Sequence, residues 1–128
     1  MPDANHIRQV YERYLERVTK GDIDGILELY AKDASIEDPI GSEVRRGADA
    51  IRDFYEASAG KIIMKRSGPV RVAGNEAATP LCILMGPEGQ RSALDVISTM
   101  VFDEDGRITA MRAFWSFDTM RPATPEDG

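Results

Sequence analysis

The chain has 128 residues, of which 42% are hydrophobic and 30% charged. This balance predicts one globular domain over residues 1–128, with a core that needs no disulfide or structural metal. The net charge of -6 disfavours nucleic acid and anionic membrane as partners. One cysteine (Cys82) and one histidine (His6) exclude an intrachain disulfide and a histidine-cluster metal site, and suit a cytoplasmic setting. The opening residues do not read as a signal peptide, and no apolar run approaches the ~20 residues of a membrane span.

The spacing of Ile7, Val10, Tyr11, Tyr14, Leu15 and Val18 predicts a helix over about residues 5–20. His6 would sit in its frayed start. Gly21 stops the helix and Asp22 can cap the next one. That second helix carries Ile23, Ile26, Leu27 and Tyr30 on one face. Residues 35–41 read as a short strand, followed by a loop from Gly41 to Gly47 containing Arg45 and Arg46. A third helix runs over about residues 48–58, with Ile51, Phe54 and Tyr55 inward and Gly60 as its stop. From Lys61 on, strand-like runs alternate with turn signals at Ser67-Gly68-Pro69, Gly74-Asn75, Gly86-Pro87-Glu88-Gly89 and Asp105-Gly106. Helices first and strands second predict an α+β domain, with three N-terminal helices on one face of a curved, mostly antiparallel sheet. Residues 121–128 read as a loose tail.

Asp38 is the focus of the chemistry. It shares strand parity with Ile36 and Ile40, so it points to the apolar side, while Glu37 points to water. Pro39 biases Asp38 toward an extended conformation. Spacing alone leaves two readings level: a carboxylate bonded to the amides of the following turn, or a general base whose proton affinity its surroundings raise. Ser98 is the polar member of the stripe Leu94, Val96, Ser98, Met100 and Phe102. It is either a hydroxyl bonded within the sheet or a donor facing a pocket. Tyr14, Tyr30 and Tyr55 fall on inward helix faces, as separate core residues or as a hydrogen-bonded chain. Met111, Ala113, Trp115 and Phe117 share a face. With Phe54, Met64, Met100 and Val96 they are candidates for an apolar cavity wall or for core packing. No dinucleotide fingerprint, P-loop or histidine-backed nucleophile is present, so the inventory favours cofactor-free acid–base chemistry with no metal.

The strings that carry a resemblance are Tyr14, Gly21-Asp22-Ile23-Asp24-Gly25-Ile26, Glu37-Asp38-Pro39, Ile51-Arg52-Asp53-Phe54-Tyr55, Ala93-Leu94-Asp95-Val96-Ile97 and Met111-Arg112-Ala113-Phe114-Trp115-Ser116. Together, in this order, the chain resembles the Δ5-3-ketosteroid isomerases. The resemblance implies a conical fold like that of nuclear transport factor two and a homodimer built through the sheet. It implies Asp38 as general base, Tyr14 as oxyanion donor, Tyr30 and Tyr55 as its supporting network, and Phe54 and Trp115 as pocket walls for an apolar steroid. That enzyme class is itself the standing example of an Asp base with an oxyanion hole of a Tyr and a protonated Asp. Here Ser98 stands where the family has the second, carboxylic donor. A non-catalytic steroid- or lipid-binding protein of the same fold is the main alternative. An epoxide hydrolase would want an Asp–Arg–Asp set, and Arg112 has the wrong strand parity for it.

Overall fold

A computed structural model of the protein describes residues 2–128. Helix α1 spans Ala4–Lys20 and buries Ile7, Val10, Tyr11, Tyr14, Leu15 and Val18, the stripe its periodicity predicts. Asp3 caps its start by accepting from the His6 amide. Gly21 ends it in the left-handed region at φ 72°, where a side chain would be strained. His6 is not frayed: its Nε2 lies 2.9 Å from the Gly106 carbonyl, which pins the helix start to a distant turn. Helix α2 is a single short segment, Ile23–Glu28, capped by Asp22 through the Gly25 amide. It ends before Tyr30, which instead opens strand β1, Tyr30–Glu37. A six-residue helix has little cooperativity of its own, so strand pairing takes the residues that follow it.

Asp38 lies just beyond β1, not within a strand. Arg45 and Arg46, expected in a loop, form the short strand β2 against Ser35 and Ile36. Helix α3 spans Ala48–Glu56. Six strands follow: β3 (Ile62–Arg66), β4 (Arg71–Ala73), β5 (Glu76–Met85), β6 (Ser92–Phe102), β7 (Ile108–Phe114) and β8 (Arg121–Pro122). The sheet runs β2-β1-β7-β6-β5-β3, with β4 also on β5 and β8 also on β6. The β1–β7 pairing is parallel and the other pairings are antiparallel. The expected turn signals fall between consecutive strands from β3 to β7.

The α+β class and the mostly antiparallel sheet are as the order of patterns predicts. On β6 the inner-face residues Leu94, Val96, Ser98, Met100 and Phe102 are buried, the alternation of a half-buried strand, while Ala93 is buried on the outer face. This inner face meets the apolar faces of α1, α2 and α3 in one continuous core.

The C-terminal residues are not a loose tail. Their strand β8 pairs with Ser92 and Ala93, and Ala123 packs over Cys82, Leu84 and Ala93 on the outer side of the sheet. Covering that second apolar cluster removes its surface from water, which is the reason the segment stays down. Arg121 clamps it, donating from Nε and one terminal nitrogen to Asp95 and from both terminal nitrogens to Asp127, at 2.7–3.2 Å. Arg121→Ala should speed amide exchange at Ala123 and Thr124, whose N–H groups bond Arg91 O and Asp127. Exchange in α1 and β6 should stay slow. Unchanged protection at Ala123 would show that the apolar contact alone holds the segment. Among the described residues no helix is long and apolar enough to cross a membrane.

Candidate active site

A cavity of about 200 Å³ opens between the helices and the inner face of the sheet. Tyr14 and Val18 contribute from α1, Phe54 and Tyr55 from α3. Ile83, Met85 and Leu94 contribute from β5 and β6. Met64, Trp115 and Phe117 complete much of the rest. Asp38 is the one charged residue in this wall. A larger groove of about 610 Å³ lies over the C-terminal segment, bounded by turn residues such as Gly89 and Pro125, with no buried acid.

Local structure holds Asp38 in place. The Ile40 amide donates to Ala113 O at 2.8 Å, tying the turn after β1 to the end of β7. Ser42 donates to Pro39 O from both its amide and its hydroxyl. Glu37 does not simply face water: its carboxylate accepts from the Gly41 amide at 3.0 Å and from Arg112 Nε at 3.3 Å. It therefore braces the turn from outside while Asp38 faces inward. Arg112 is spent on Glu37 and on the face of Phe114, away from the cavity.

Asp38 is half-buried, and loss of hydration raises its pKa above the ordinary carboxylate value. Trp115 opposes this, because its Nε1–H donates to Asp38 Oδ1 at 2.5 Å and favours the ionised form. The predicted apolar wall thus also carries a polar duty. Strand parity shows that Trp115 faces inward, but the parallel β1–β7 pairing that brings it to Asp38 leaves no mark in the sequence. Trp115→Phe keeps the wall and removes the donor. The Asp38 carboxyl should then titrate at higher pH, measured by carbon-13 NMR of its side chain. An unchanged titration would show that burial alone sets its proton affinity.

The tyrosines meet. Tyr55 Oη lies 2.7 Å from Tyr30 Oη and 2.9 Å from Tyr14 Oη, so Tyr55 is the bridge. The Tyr14 and Tyr55 rings cross edge-to-face at 6.1 Å, and Phe54 abuts Tyr55 at 4.9 Å. Burial raises the pKa of all three phenols, so they stay protonated donors at neutral pH. Three hydroxyl protons and two bonds between them leave one proton over. If Tyr30 donates to Tyr55 and Tyr55 to Tyr14, that proton is the one on Tyr14, which lines the cavity; the reverse order leaves it on Tyr30.

Other candidates sit differently. Ser98 is 2% exposed and absent from the cavity wall, and its Oγ lies 3.3 Å from Tyr11 Oη. Val96 and Met100 are buried in the core and do not line the cavity, and neither do Met111 and Ala113. These residues alternate along strands whose ends alone reach the opening, so parity places them inward without saying how deep. Tyr11, read only as part of a helix stripe, brings a fourth phenol to this region.

Three helices over a curved, mostly antiparallel sheet, with one carboxylate and a tyrosine chain at an apolar cavity, define a small α+β protein with a polar site in an apolar pocket. The chain belongs to the SnoaL-like family, whose domain matches residues 11–111. The resemblance to ketosteroid isomerase is borne out: the chain is 38% identical over 110 residues to the Steroid Delta-isomerase of Nocardioides simplex, covering 86% of this chain and 89% of that protein. It is also 28% identical, over an alignment of 138 residues, to Epoxide hydrolase LasB of Streptomyces lasalocidi. That alignment covers 89% of this chain but only 49% of LasB, so the chain spans about half of that relative's length. Among solved structures, the epoxide hydrolase/cyclase-like enzyme SalBIII superposes with a TM-score of 0.87 at 25% identity, covering 96% of this chain and 100% of the other. The relatives are enzymes with more than one chemistry.

Proposed function

We propose that this protein isomerises Δ5-3-ketosteroids to the conjugated Δ4-3-ketosteroids by moving one proton through a dienolate, without a cofactor. The observation that carries the reading is Asp38 and the Tyr14 hydroxyl in the wall of one apolar cavity. The 38% identical steroid isomerase supports it. The reacting rings enter the cavity and bury apolar surface against Phe54, Met64 and Trp115. The exposed Phe117 extends that surface outward. The ketone oxygen takes a hydrogen bond from Tyr14 at the cavity wall, while Ser98 lies behind that wall. Ionised Asp38 removes a proton from the carbon between ketone and alkene, and charge moves to the oxygen where the Tyr14 donor already stands. Asp38 then returns the proton to the far carbon of the dienolate. Trp115 holds the carboxylate in line throughout.

The test is to mix the protein with a Δ5-3-ketosteroid and follow the ultraviolet absorbance of the conjugated enone. A rise lost in Asp38→Asn supports the isomerase. Absence of a rise in wild type sinks it, and tight steroid binding in that case would favour the non-catalytic binding protein.

A second reading is epoxide opening, favoured by the likeness to LasB and SalBIII. It would use Asp38 as base and Tyr14 as acid. The position of Arg112, paired with Glu37, weighs against an Asp–Arg–Asp set. Incubation with an epoxide-bearing apolar substrate separates the two chemistries.

A homodimer through the sheet belongs to the same reading. Ile97 and Phe114 are neighbours in the β6–β7 register and are 46% and 44% exposed, an apolar pair a second copy would cover. Sedimentation of Ile97→Glu against wild type tests it.

A further inference from the structure

The cavity runs from a buried end to an open one. At the inner end stand Tyr14 and Leu94, 2% and 3% exposed. At the mouth stands Phe117, 72% exposed and the most open large apolar side chain among the described residues. The cavity volume of about 200 Å³ is below the ~300–1,000 Å³ of pockets that bury most of a drug-sized ligand. A four-ring ligand with its reacting end beside Tyr14 and Asp38 therefore carries its far rings past the mouth.

The backbone fixes Phe117 at that mouth from both sides. Trp115, just before it, is tied to Asp38 through its Nε1–H, and Met120, just after it, packs against the core. Between them Phe117–Thr119 forms a 3₁₀ turn. The Met120 amide donates to Phe117 O at 3.1 Å, and the Thr119 hydroxyl donates to Ser116 O at 3.0 Å. The Phe117 ring meets Trp115 edge-to-face at 5.0 Å, its one ring contact. The rest of the ring lies in water beside an apolar cavity, so it has surface to bury when a ligand arrives. Phe54 differs in this respect: its ring is partly buried and abuts Tyr55 at the inner end.

We propose that Phe117 is a specificity-determining residue: it covers the far rings of a fused-ring ketone, and so selects a long, flat apolar ligand over a one-ring ketone that fits wholly inside. This rests on the isomerase reading for the chemistry at the inner end. A one-ring ketone reaches Tyr14 and Asp38 but stops short of Phe117. A four-ring ketone reaches both ends and buries the exposed ring. Phe117 lies away from the reacting carbons, so its contact is the same before and during proton transfer. Such uniform binding lowers KM and leaves kcat alone.

The experiment compares Phe117→Ala with wild type on two ketones. One is a Δ5-3-ketosteroid. The other is a one-ring cyclohexenone with its alkene one carbon out of conjugation, which needs the same proton transfer. KM for the steroid should rise roughly fivefold to tenfold, as expected for losing about half of a phenylalanine side chain's burial. The steroid kcat should change by less than about twofold, and kcat/KM for the one-ring ketone should stay at the wild-type value. Phe117→Leu, which keeps an apolar side chain, should recover most of the steroid KM. Equal losses on both ketones would show that Phe117 acts through Trp115 and Asp38, and an unchanged steroid KM would leave it out of binding; either result overturns the proposal. Binding is also read without turnover. Trp115 is the chain's one tryptophan, so quenching of its fluorescence by the conjugated Δ4-3-ketosteroid gives a Kd. That Kd should weaken in Phe117→Ala by the same factor as KM, and equal Kd values in the two proteins overturn the proposal. Should wild type bind this ketone yet form no enone, the isomerase reading falls alone, and the ratio of Kd values still decides the role of Phe117.

Discussion

Asp38→Asn should lower kcat by roughly 10³-fold or more, within the range a positioned general base contributes. Steroid binding should survive, because asparagine keeps the shape and can still accept the Trp115 N–H bond. The same variant should melt at higher temperature than wild type at neutral pH. Burial raises the Asp38 pKa in the folded chain, so the folded state holds that proton more tightly than the unfolded state. The favourable contribution is complete below the unfolded carboxylate range and is lost as pH rises through the raised folded value. At neutral pH the ionised group opposes folding, and asparagine removes that opposition. In acid both proteins are neutral at this position and the gap should close. Calorimetry across pH checks it, and a variant less stable than wild type at neutral pH would mean that the Asp38 charge is well compensated. A kcat near wild type would remove Asp38 as the base.

Tyr14→Phe should cost roughly 10²–10³-fold in kcat, the usual loss for one oxyanion donor, with KM little changed. The phenyl ring preserves the edge contacts to Tyr11 and Tyr55, so the loss isolates the hydroxyl. Ser98→Ala should cost less, since Ser98 sits behind the cavity wall and Tyr14 within it. Tyr55→Phe should fall between them: it breaks both bonds of the chain but leaves the Tyr14 hydroxyl present. A rise in KM alone for Tyr14→Phe would make Tyr14 a packing residue. An equal cost for Ser98→Ala would contradict that ranking.

Periodicity exposed α1 and α3 because each buries a full stripe, and glycines at turns exposed the strand boundaries of the second half. Periodicity misplaced Tyr30 because its spacing from Ile23, Ile26 and Leu27 suits a helix, while parallel pairing with Ile108 makes it a strand. Arg45 and Arg46 carry no strand signal, and edge pairing alone makes them β. The C-terminal segment looked loose because its clamp is spread over Asp95, Arg121 and Asp127. At the site, Asp38, Tyr14 and Tyr55 were legible as an acid and two phenols on inward faces. The Trp115 donor and the Tyr11–Ser98 contact were not, since each joins residues 77 or more positions apart through a pairing the local pattern does not encode.

The parallel β1–β7 pairing also has a kinetic meaning. Antiparallel hairpins from β3 to β7 close through short turns and can form early. The β1–β7 ladder must instead join segments such as Glu37 and Arg112 across most of the chain, at a large cost in loop closure. Asp38 and its Trp115 partner are brought together by that ladder. The carboxylate is therefore expected to lose its water late in folding, after most of the scaffold that tolerates it is in place. Until then it stays in water as an ordinary acid, and the energetic cost of a buried charge falls on a chain already able to bear it.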